Sequence, residues 1–367
     1  MTRPSELNGV EVFPGDSIQE LVDAHPAGTV FVIRAGVHRN QLVNPKDGNT
    51  FVGEPGAILS GQGVTEYAFG GSADGVTIRG LIVERYANPP HTPAIRDGGG
   101  ANDWLVEDNE IRENLGIGLK AGAKWRVLRN FVHHNGQLGL AGSGFGILVE
   151  GNEIAYNNTD GNNPYWEAGG AKWVYTTGLV VRDNYVHDNN GPGLWTDINN
   201  IDTLYENNMV VDNDGPGIFH EISYDAIIRN NTVKRNGFGF TGGVDGAGIL
   251  VANSPNVEVY GNTVVGNNDG IAGKHADRTK NQPAPPLHGP WELRNLYVHN
   301  NTIIMTVGHN GIVDHSGGTA AWDSWGNRFQ DNTYQLGSNP KYYVWKGDQR
   351  TTQEWQAFEQ DTNGTWQ

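Results

Sequence analysis

Asn208-Met-Val-Val-Asp-Asn213 is one copy of a pattern, Asn-x-apolar-x-x-Asn, that recurs along most of the chain. Clear copies begin at Asn109, Asn130, Asn152, Asn184, Asn208, Asn231 and Asn262, and weaker copies begin at Asn301 and Asn327. Four of the eight steps between these positions are 21 to 24 residues long, and the others are longer. A short period with occasional lengthening indicates stacked coils that carry insertions at certain turns.

Short runs rich in Val, Ile and Leu lie between the asparagines, for example Trp125-Arg-Val-Leu-Arg129 and Gly178-Leu-Val-Val-Arg182. This composition is typical of strands. About 22 residues are too few for a strand and a full helix, but they accommodate three short strands and three turns. We therefore predict an all-β fold, a single right-handed parallel β-helix (solenoid). Its asparagines would form a ladder, because an amide side chain donates to and accepts from the neighbouring coils.

The two ends differ from the repeats. We predict an N-terminal cap and the first coils over residues 1–60, with a short cap helix after Ser17. The parallel β-helix with the active-site cleft would then cover residues 61–340. A C-terminal cap segment would cover residues 341–367, where Thr351 and Glu354 fit a capping box. Long insertions near residues 158–169, 237–247 and 268–292 predict the rim of a binding face, with 281–288 as a lid or rim.

Composition limits the possible partners. The 367 residues carry 25 basic and 41 acidic side chains, a net charge of −16, which argues against nucleic acid and anionic membranes as partners. The chain has no run of 18 apolar residues, so we predict no membrane-spanning helix. It has no cysteine, which excludes disulfides and thiolate metal sites. The expected location is secreted or periplasmic if a native signal peptide has been removed, and cytoplasmic otherwise. The oligomeric state is left open.

Aligning the coils on their asparagines places two carboxylates side by side. The strands before Asn184, Asn208 and Asn231 contain Gly170-Ala-Lys-Trp-Val174, Gly193-Leu-Trp-Thr-Asp197 and Gly217-Ile-Phe-His-Glu221. Asp197 and Glu221 thus occupy one position on consecutive coils, about 5 Å apart. That separation is the one that retaining glycosidases use for a nucleophile and a general acid/base. Stacked acids repel each other, so a purely structural ladder would favour Asn or Thr at this position.

The same alignment brings side chains suited to sugars toward the pair. Aromatic rings stack on sugar faces, and polar groups bind hydroxyls. Trp195 and Phe219 share a position with Lys172, Trp173 shares one with His220, and an earlier coil places Lys120 in the row of the acids. The predicted substrate-binding residues are Glu167, Lys172, Trp173, Trp195, Asn199, His220, Lys120 and Trp166.

The strand pair Gly193-Leu-Trp-Thr-Asp197 and Gly217-Ile-Phe-His-Glu221 resembles glycoside hydrolase family 120, the β-helical β-xylosidases. The wider chain, about residues 20–335, resembles the parallel β-helix carbohydrate-active proteins. The family resemblance implies Asp197 as the catalytic nucleophile and Glu221 as the acid/base. It covers about 30 residues, and the substrate identity does not follow from it.

Two other functions fit the same fold. A polysaccharide lyase or uronate epimerase would use Lys120, Lys172 or Arg96 as base or as the cation that neutralises a substrate carboxylate, although the acid pair would repel a uronate. A non-catalytic glycan-binding β-helix would bind without turnover. No histidine or carboxylate cluster has metal-ligand spacing, so we predict no metal and no cofactor, with a carbohydrate as the substrate.

Overall fold

The computed structural model describes residues 8–278 and 284–367. Its strands form parallel sheets with the architecture of a right-handed parallel β-helix, which confirms the predicted fold class. The chain forms two compact units, Met1–Ala171 and Lys172–Gln367. None of the helices in the described residues has the length and hydrophobicity needed to cross a membrane.

The first unit contains one helix, α1 (Ile18–Ala24), and short strands. These strands are β1 (Val10–Val12), β2 (Val30–Ile33), β3 (Gly36–Arg39), β4 (Thr50–Gly53), β5 (Ala57–Ser60), β6 (Thr77–Arg79), β7 (Ile82–Glu84), β8 (Pro93–Arg96), β9 (Leu105–Glu107), β10 (Glu110–Arg112), β11 (Ile117–Ala121), β12 (Arg126–Leu128), β13 (Phe131–His133), β14 (Leu138–Phe145), β15 (Leu148–Glu150) and β16 (Glu153–Ala155). Strand β17 (Gly169–Thr177) begins at the end of this unit and continues in the next.

The second unit contains the remaining strands and helices α2 (Ala320–Asp323) and α3 (Thr352–Ala357). Its strands are β18 (Val180–Arg182), β19 (Tyr185–His187), β20 (Leu194–Asp197), β21 (Thr203–Glu206), β22 (Met209–Val211), β23 (Ile218–Glu221), β24 (Ala226–Arg229), β25 (Thr232–Lys234), β26 (Ala247–Ala252), β27 (Val257–Tyr260), β28 (Thr263–Val265), β29 (Asp269–His275), β30 (Tyr297–His299), β31 (Thr302–Met305), β32 (Asn310–Asp314), β33 (Arg328–Gln330), β34 (Thr333–Leu336), β35 (Lys341–Trp345), β36 (Asp348–Thr351) and β37 (Thr365–Trp366).

Within each unit, a strand pairs with its equivalent in the next coil, which is three strands further along the chain from β6 to β35 and fewer in the first coils. In the first unit the sheets run β1-β2-β4-β6-β9-β12-β15, β3-β5-β7-β10-β13-β16 and β8-β11-β14. In the second unit they run β18-β21-β24-β27-β30-β33, β19-β22-β25-β28-β31-β34-β37 and β20-β23-β26-β29-β32-β35-β36. The pairings are parallel except for β35 with β36. The third sheet of the second unit carries Asp197 and Glu221.

Asparagine ladders run through the turns, as the repeat predicts. In the first unit the backbone N–H and the side-chain Nδ2 of Asn109 both donate to Oδ1 of Asn130, which repeats the contact on Asn152. In the second unit the ladder runs through Asn184, Asn208, Asn231, Asn262 and Asn301. Each amide in this row fills the hydrogen-bonding needs of a buried turn, which is why the residue recurs.

The last repeat differs from the prediction. The ladder passes from Asn301 to Asn332 and ends on the carboxylate of Asp361, so the copy assigned to Asn327 starts at the wrong residue. Asn327 instead accepts the backbone N–H of Leu296. The second asparagine of each repeat copy belongs to a separate ladder. In the second compact unit this ladder runs through Asn189, Asn213, Asn236 and Asn267.

Both predicted cap helices are present. Ser17 caps α1 by accepting the backbone N–H of Glu20, and Ile18 and Val22 are buried. Thr351 and Glu354 make a complete capping box on α3. The insertion predicted at 268–292 is shorter than expected, because Asp269–His275 forms β29. The predicted lid at 281–288 lies partly outside the described residues.

Candidate active site

Asp197 and Glu221 end two adjacent strands of one sheet. Strands β20 and β23 pair in parallel with Trp195 opposite Phe219, Thr196 opposite His220 and Asp197 opposite Glu221. Alternate residues of a strand point to the same face, so the two carboxylates lie side by side, on strands about 4.8 Å apart. The next strand places Ala252 beside Glu221, and the one after it places Lys274 beside Ala252.

Asp197 makes a buried ion pair. Nζ of Lys172 lies 2.8 Å from Oδ2 of Asp197, and the two side chains are only 12% and 10% exposed. The same ammonium lies 3.7 Å from the centroid of the Trp195 ring, a cation–π contact. Lys172 therefore neutralises the charge of Asp197 and fixes its position.

Glu221 also pairs with a cation, but burial has the largest effect on its pKa. Burial, reinforced by the negative charge of Asp197, raises the pKa of Glu221 to about 7, while Arg278, Lys172 and Lys274 oppose that rise. Arg278 contacts Oε1 of Glu221 directly. The site thus holds one carboxyl group beside a lysine and one whose pKa is raised to about 7. Adjacent acids in different environments suit acid/base catalysis.

The aromatic residues divide between the outer face and the interior. Trp195 and Phe219 stack with ring centroids 5.3 Å apart and an interplanar angle of 16°, as the alignment suggests. Trp195 is nevertheless only 2% exposed, because Lys172 covers it. It supports the ion pair and offers little surface to a ligand.

Trp173 and His220 correct the predicted set, because both point into the coil and are fully buried. The ring of Trp173 packs 6.4 Å from that of Tyr205, and Nδ1 of His220 lies 2.7 Å from the Thr196 hydroxyl. Burial lowers the pKa of His220 to about 3, so its ring is neutral. Neither side chain reaches a ligand outside the coil; both help to hold the strands that carry the acids.

Asn199 is also occupied within the protein. Its Nδ2 donates to the carbonyl of Pro285, and its Oδ1 accepts the N–H of Leu287. The hydroxyl of Tyr224 donates to the carbonyl of Gly289 in the same segment. Asn199 therefore anchors residues 284–290 beside the strands of the acid pair, a role that the sequence did not indicate.

The remaining predicted residues lie in the first unit. Oε2 of Glu167 is 2.8 Å from Nε2 of His91, and the exposed Trp166 packs against the same imidazole. Lys120 is half-buried on β11, between Arg96 and Ala141. Arg96 forms an ion pair with Glu66 at 2.9 Å. These contacts leave the predicted binding roles of Glu167, Trp166 and Lys120 as predictions.

Two cations near the acids were missed by the sequence analysis. Lys274 lies in the same row as the pair and forms an ion pair of 2.6 Å with Asp245. The glycine-led run Asp269-Gly-Ile-Ala-Gly-Lys274 would have placed it there, had it been read as a strand rather than an insertion. Arg278 follows β29 in an irregular segment, where no period predicts its position.

Insertions lie at both ends of the strands around the acids. Val244, from the 237–247 insertion, packs with Ala247, Leu250 and Ala272, and Phe219 adjoins this cluster. At the other end, Trp291 packs with Ile222 and Tyr224. No group of three or more His, Cys, Asp or Glu side chains in residues 8–278 and 284–367 is arranged to hold a metal ion.

Comparisons with known proteins agree on the fold. A family model described as a right handed beta helix region matches residues 97–264. No curated protein matches the sequence. Among solved structures, a XylC complex with xylose has a TM-score of 0.58 and 12% identity, over 95% of this chain and 82% of that one.

Two further solved structures have the same fold. The A-module of the mannuronan C-5 epimerase AlgE6 from Azotobacter vinelandii has a TM-score of 0.62 and 15% identity, over 100% of this chain and 97% of that one. A mannuronic acid-specific polysaccharide family 6 lyase from human gut microbiota has a TM-score of 0.57 and 13% identity, over 90% and 86%. At such identities the likeness establishes the architecture, and the chemistry must be argued from the site.

Proposed function

We propose that the protein is a retaining glycoside hydrolase that cleaves an oligo- or polysaccharide with Asp197 and Glu221. The observation that carries this proposal is the pairing of the two acids in register, with Lys172 on one and a raised pKa on the other. Carboxyl groups on neighbouring strands have the separation of a retaining pair, and they leave too little room for the water of an inverting mechanism.

In this mechanism the ionised Asp197 attacks the anomeric carbon and forms a glycosyl–enzyme ester. Protonated Glu221 gives its proton to the leaving oxygen as the glycosidic bond breaks. The resulting Glu221 carboxylate then takes a proton from water, which attacks the anomeric carbon and releases Asp197. The roles rest on the resemblance to glycoside hydrolase family 120, and the different environments of the two acids support the same assignment.

The direct test is a screen of nitrophenyl glycosides and neutral oligosaccharides. Xyloside is the first probe, because a protein of the same fold binds xylose. We expect at least one substrate to be cleaved by the wild type and by Glu258→Gln, a surface glutamate paired with His299, but not by Asp197→Asn. Binding of a glycan without release of reducing sugar from any substrate would favour the non-catalytic binder.

The cations around the pair support a second candidate, a polysaccharide lyase or uronate epimerase. Lys172, Arg278 and Lys274 would neutralise the carboxylate of a uronate, and Glu221 or Lys172 would serve as the base. Each cation already pairs with an acid, namely Asp197, Glu221 and Asp245, which weakens this candidate. A rise in absorbance near 235 nm on uronate polymers, the signal of an unsaturated product, would establish the lyase reaction.

A further inference from the structure

A pocket of about 760 Å³ in the second unit is lined by Arg278, which contacts Glu221. His275, Asp277 and Arg278 line it from the end of β29, Trp291 and Glu292 from the following segment, and Ser316 from the residues after β32. Its volume falls in the range of small-molecule sites. Nothing in the proposed roles of Asp197 and Glu221 uses this space.

Arg278 connects the pocket to the proposed proton donor, because it lines the pocket and also contacts Glu221. The sheet sets the direction. From Asp197 the row runs to Glu221, then to Ala252 and Lys274, and His275 follows Lys274 in β29. The strand that carries His275 is therefore on the far side of Glu221 from the nucleophile. A leaving group that takes its proton from Glu221 must lie within hydrogen-bond reach of that carboxyl, and Arg278 joins the same carboxyl to the pocket.

The lining has the chemistry of a site for a neutral sugar. Three prolines, Pro285, Pro286 and Pro290, supply apolar surface, while His275, Asp277, Arg278, Glu292 and Ser316 supply polar groups. The carboxylates of Asp277 and Glu292 oppose an anionic ligand, and Glu292 is paired with Arg294 at 3.2 Å. Apolar walls with a few polar groups are typical of ligand pockets.

His275 lies against an amide whose orientation is fixed. Nδ2 of Asn253 lies 3.1 Å from Nδ1 of His275. The two hydrogens of this Nδ2 are directed at the carbonyls of Ala276 and Trp291, and Oδ1 accepts the N–H of Ala276. Burial lowers the pKa of His275, which favours the neutral ring.

We propose that this pocket is a second sugar subsite, which binds the neutral sugar unit on the leaving side of the scissile bond. The proposal rests on the proposed hydrolase function. It implies that the smallest natural substrate has a neutral sugar on each side of the scissile bond. Arg278 lies where the leaving sugar and Glu221 meet, so its guanidinium can donate to either.

Two substrates with the same glycone separate this subsite from the acid pair. Xylobiose places a sugar in the pocket, whereas xylosyl fluoride has a leaving group that fills no subsite. Ser316 is exposed, so Ser316→Trp fills the pocket without disturbing a strand. We expect it to lower the ratio of kcat/KM for xylobiose to kcat/KM for xylosyl fluoride by about tenfold or more. The matched control is Ser338→Trp, at another exposed serine. An unchanged ratio in Ser316→Trp would overturn the proposal.

A binding measurement tests the pocket even if neither substrate is cleaved. Saturation-transfer NMR with a panel of neutral monosaccharides (xylose, glucose, mannose, galactose, arabinose and fructose) would be recorded on the wild type and both tryptophan variants. We expect at least one sugar to bind the wild type and Ser338→Trp and to lose its signal with Ser316→Trp. If this binding pattern is seen but no substrate is cleaved, the hydrolase function is refuted and the sugar-binding pocket is still supported. No binding by any sugar, or binding that Ser316→Trp leaves intact, would refute the subsite.

Discussion

At Glu221, burial and the neighbouring Asp197 carboxylate both oppose ionisation, while Arg278, Lys172 and Lys274 favour it. The net effect raises the pKa to about 7, and a general acid works only while it is protonated. We therefore expect kcat/KM to fall as the pH rises through about 7. Arg278→Met removes a cation that stabilises the carboxylate, so this falling limb should move to higher pH. The pH–rate profiles of both proteins measure the shift.

Arg294 provides the control for that shift. It is paired with Glu292 and packs over Trp325, so Arg294→Met removes the same charge without touching the acid. The pH–rate profile of Arg294→Met should therefore fall at the same pH as the wild-type profile. A limb that moves equally in both variants, or that moves to lower pH in Arg278→Met, would contradict the assignment of Glu221 as the titrating acid.

The two acids should respond differently to loss of charge. Glu221→Gln is expected to slow glycosides with poor leaving groups by about 10²- to 10⁴-fold, because the leaving oxygen then departs without its proton. Activated nitrophenyl glycosides should lose less. Asp197→Asn should lower turnover of both substrates by several orders of magnitude, since it removes the nucleophile. Steady-state kinetics on matched substrates, with Glu258→Gln as the control, would reveal the pattern; equal losses in the two acid variants on both substrates would contradict the roles.

Part of this site was visible in the sequence. Asp197, Glu221 and Lys172 follow from aligning coils of nearly equal length, because in-register strands preserve spacing. Arg278 does not follow, since it lies in an irregular segment whose path depends on tertiary contacts. The alignment also brings Trp173 and His220 to the site, but Trp173 directly follows Lys172 and His220 directly precedes Glu221, and successive residues of a strand point to opposite faces. Both side chains are therefore buried in the coil.

At the scale of the repeating element, the asparagine turn links each coil to the next. Oδ1 of Asn208 accepts from both the backbone and the side chain of Asn184, and its own Nδ2 donates to Oδ1 of Asn231 and to the carbonyl of Val181. Asn208→Ala leaves these buried partners unsatisfied, so we expect a loss of about 1–3 kcal/mol in the free energy of unfolding. Urea unfolding measures it.

A matched control lies outside the ladder. Asn339 is exposed, and its side-chain oxygen accepts the N–H of Lys341 near the surface. Asn339→Ala should change the unfolding free energy by no more than about 0.5 kcal/mol. Equal losses at positions 208 and 339 would show that the ladder contributes no more than an ordinary surface hydrogen bond.

The elements are predictable where the capping residues or turn asparagines follow a regular pattern, and they are missed where that pattern is interrupted. Both cap helices follow from local capping residues, Ser17 for α1 and Thr351 with Glu354 for α3. The repeat places the final coil on Asn327 rather than Asn332, because spacing alone does not distinguish two nearby asparagines. The sequence predicts an insertion in place of strand β29, because a long irregular segment follows this strand and hides its period.

For the whole molecule, we predict activity that needs no metal ion. The described residues contain no cluster of side chains arranged as metal ligands, and two carboxyl groups suffice for glycoside cleavage. We expect full activity after exhaustive treatment with EDTA and dialysis into metal-free buffer. If activity is lost on chelation and returns with Ca²⁺, the result would favour the lyase or epimerase function.

The most direct test of the acid pair is the anomeric configuration of the first product, followed by proton NMR before mutarotation equilibrates it. In the proposed mechanism the carboxyl groups on adjacent in-register strands act through a covalent intermediate on Asp197, so we predict a product with the configuration of the substrate. A small-side-chain variant at Asp197 with added azide should give the azido sugar of opposite configuration. Release of the inverted anomer by the wild type would contradict the central claim, because inversion requires acids farther apart than neighbouring strands place them.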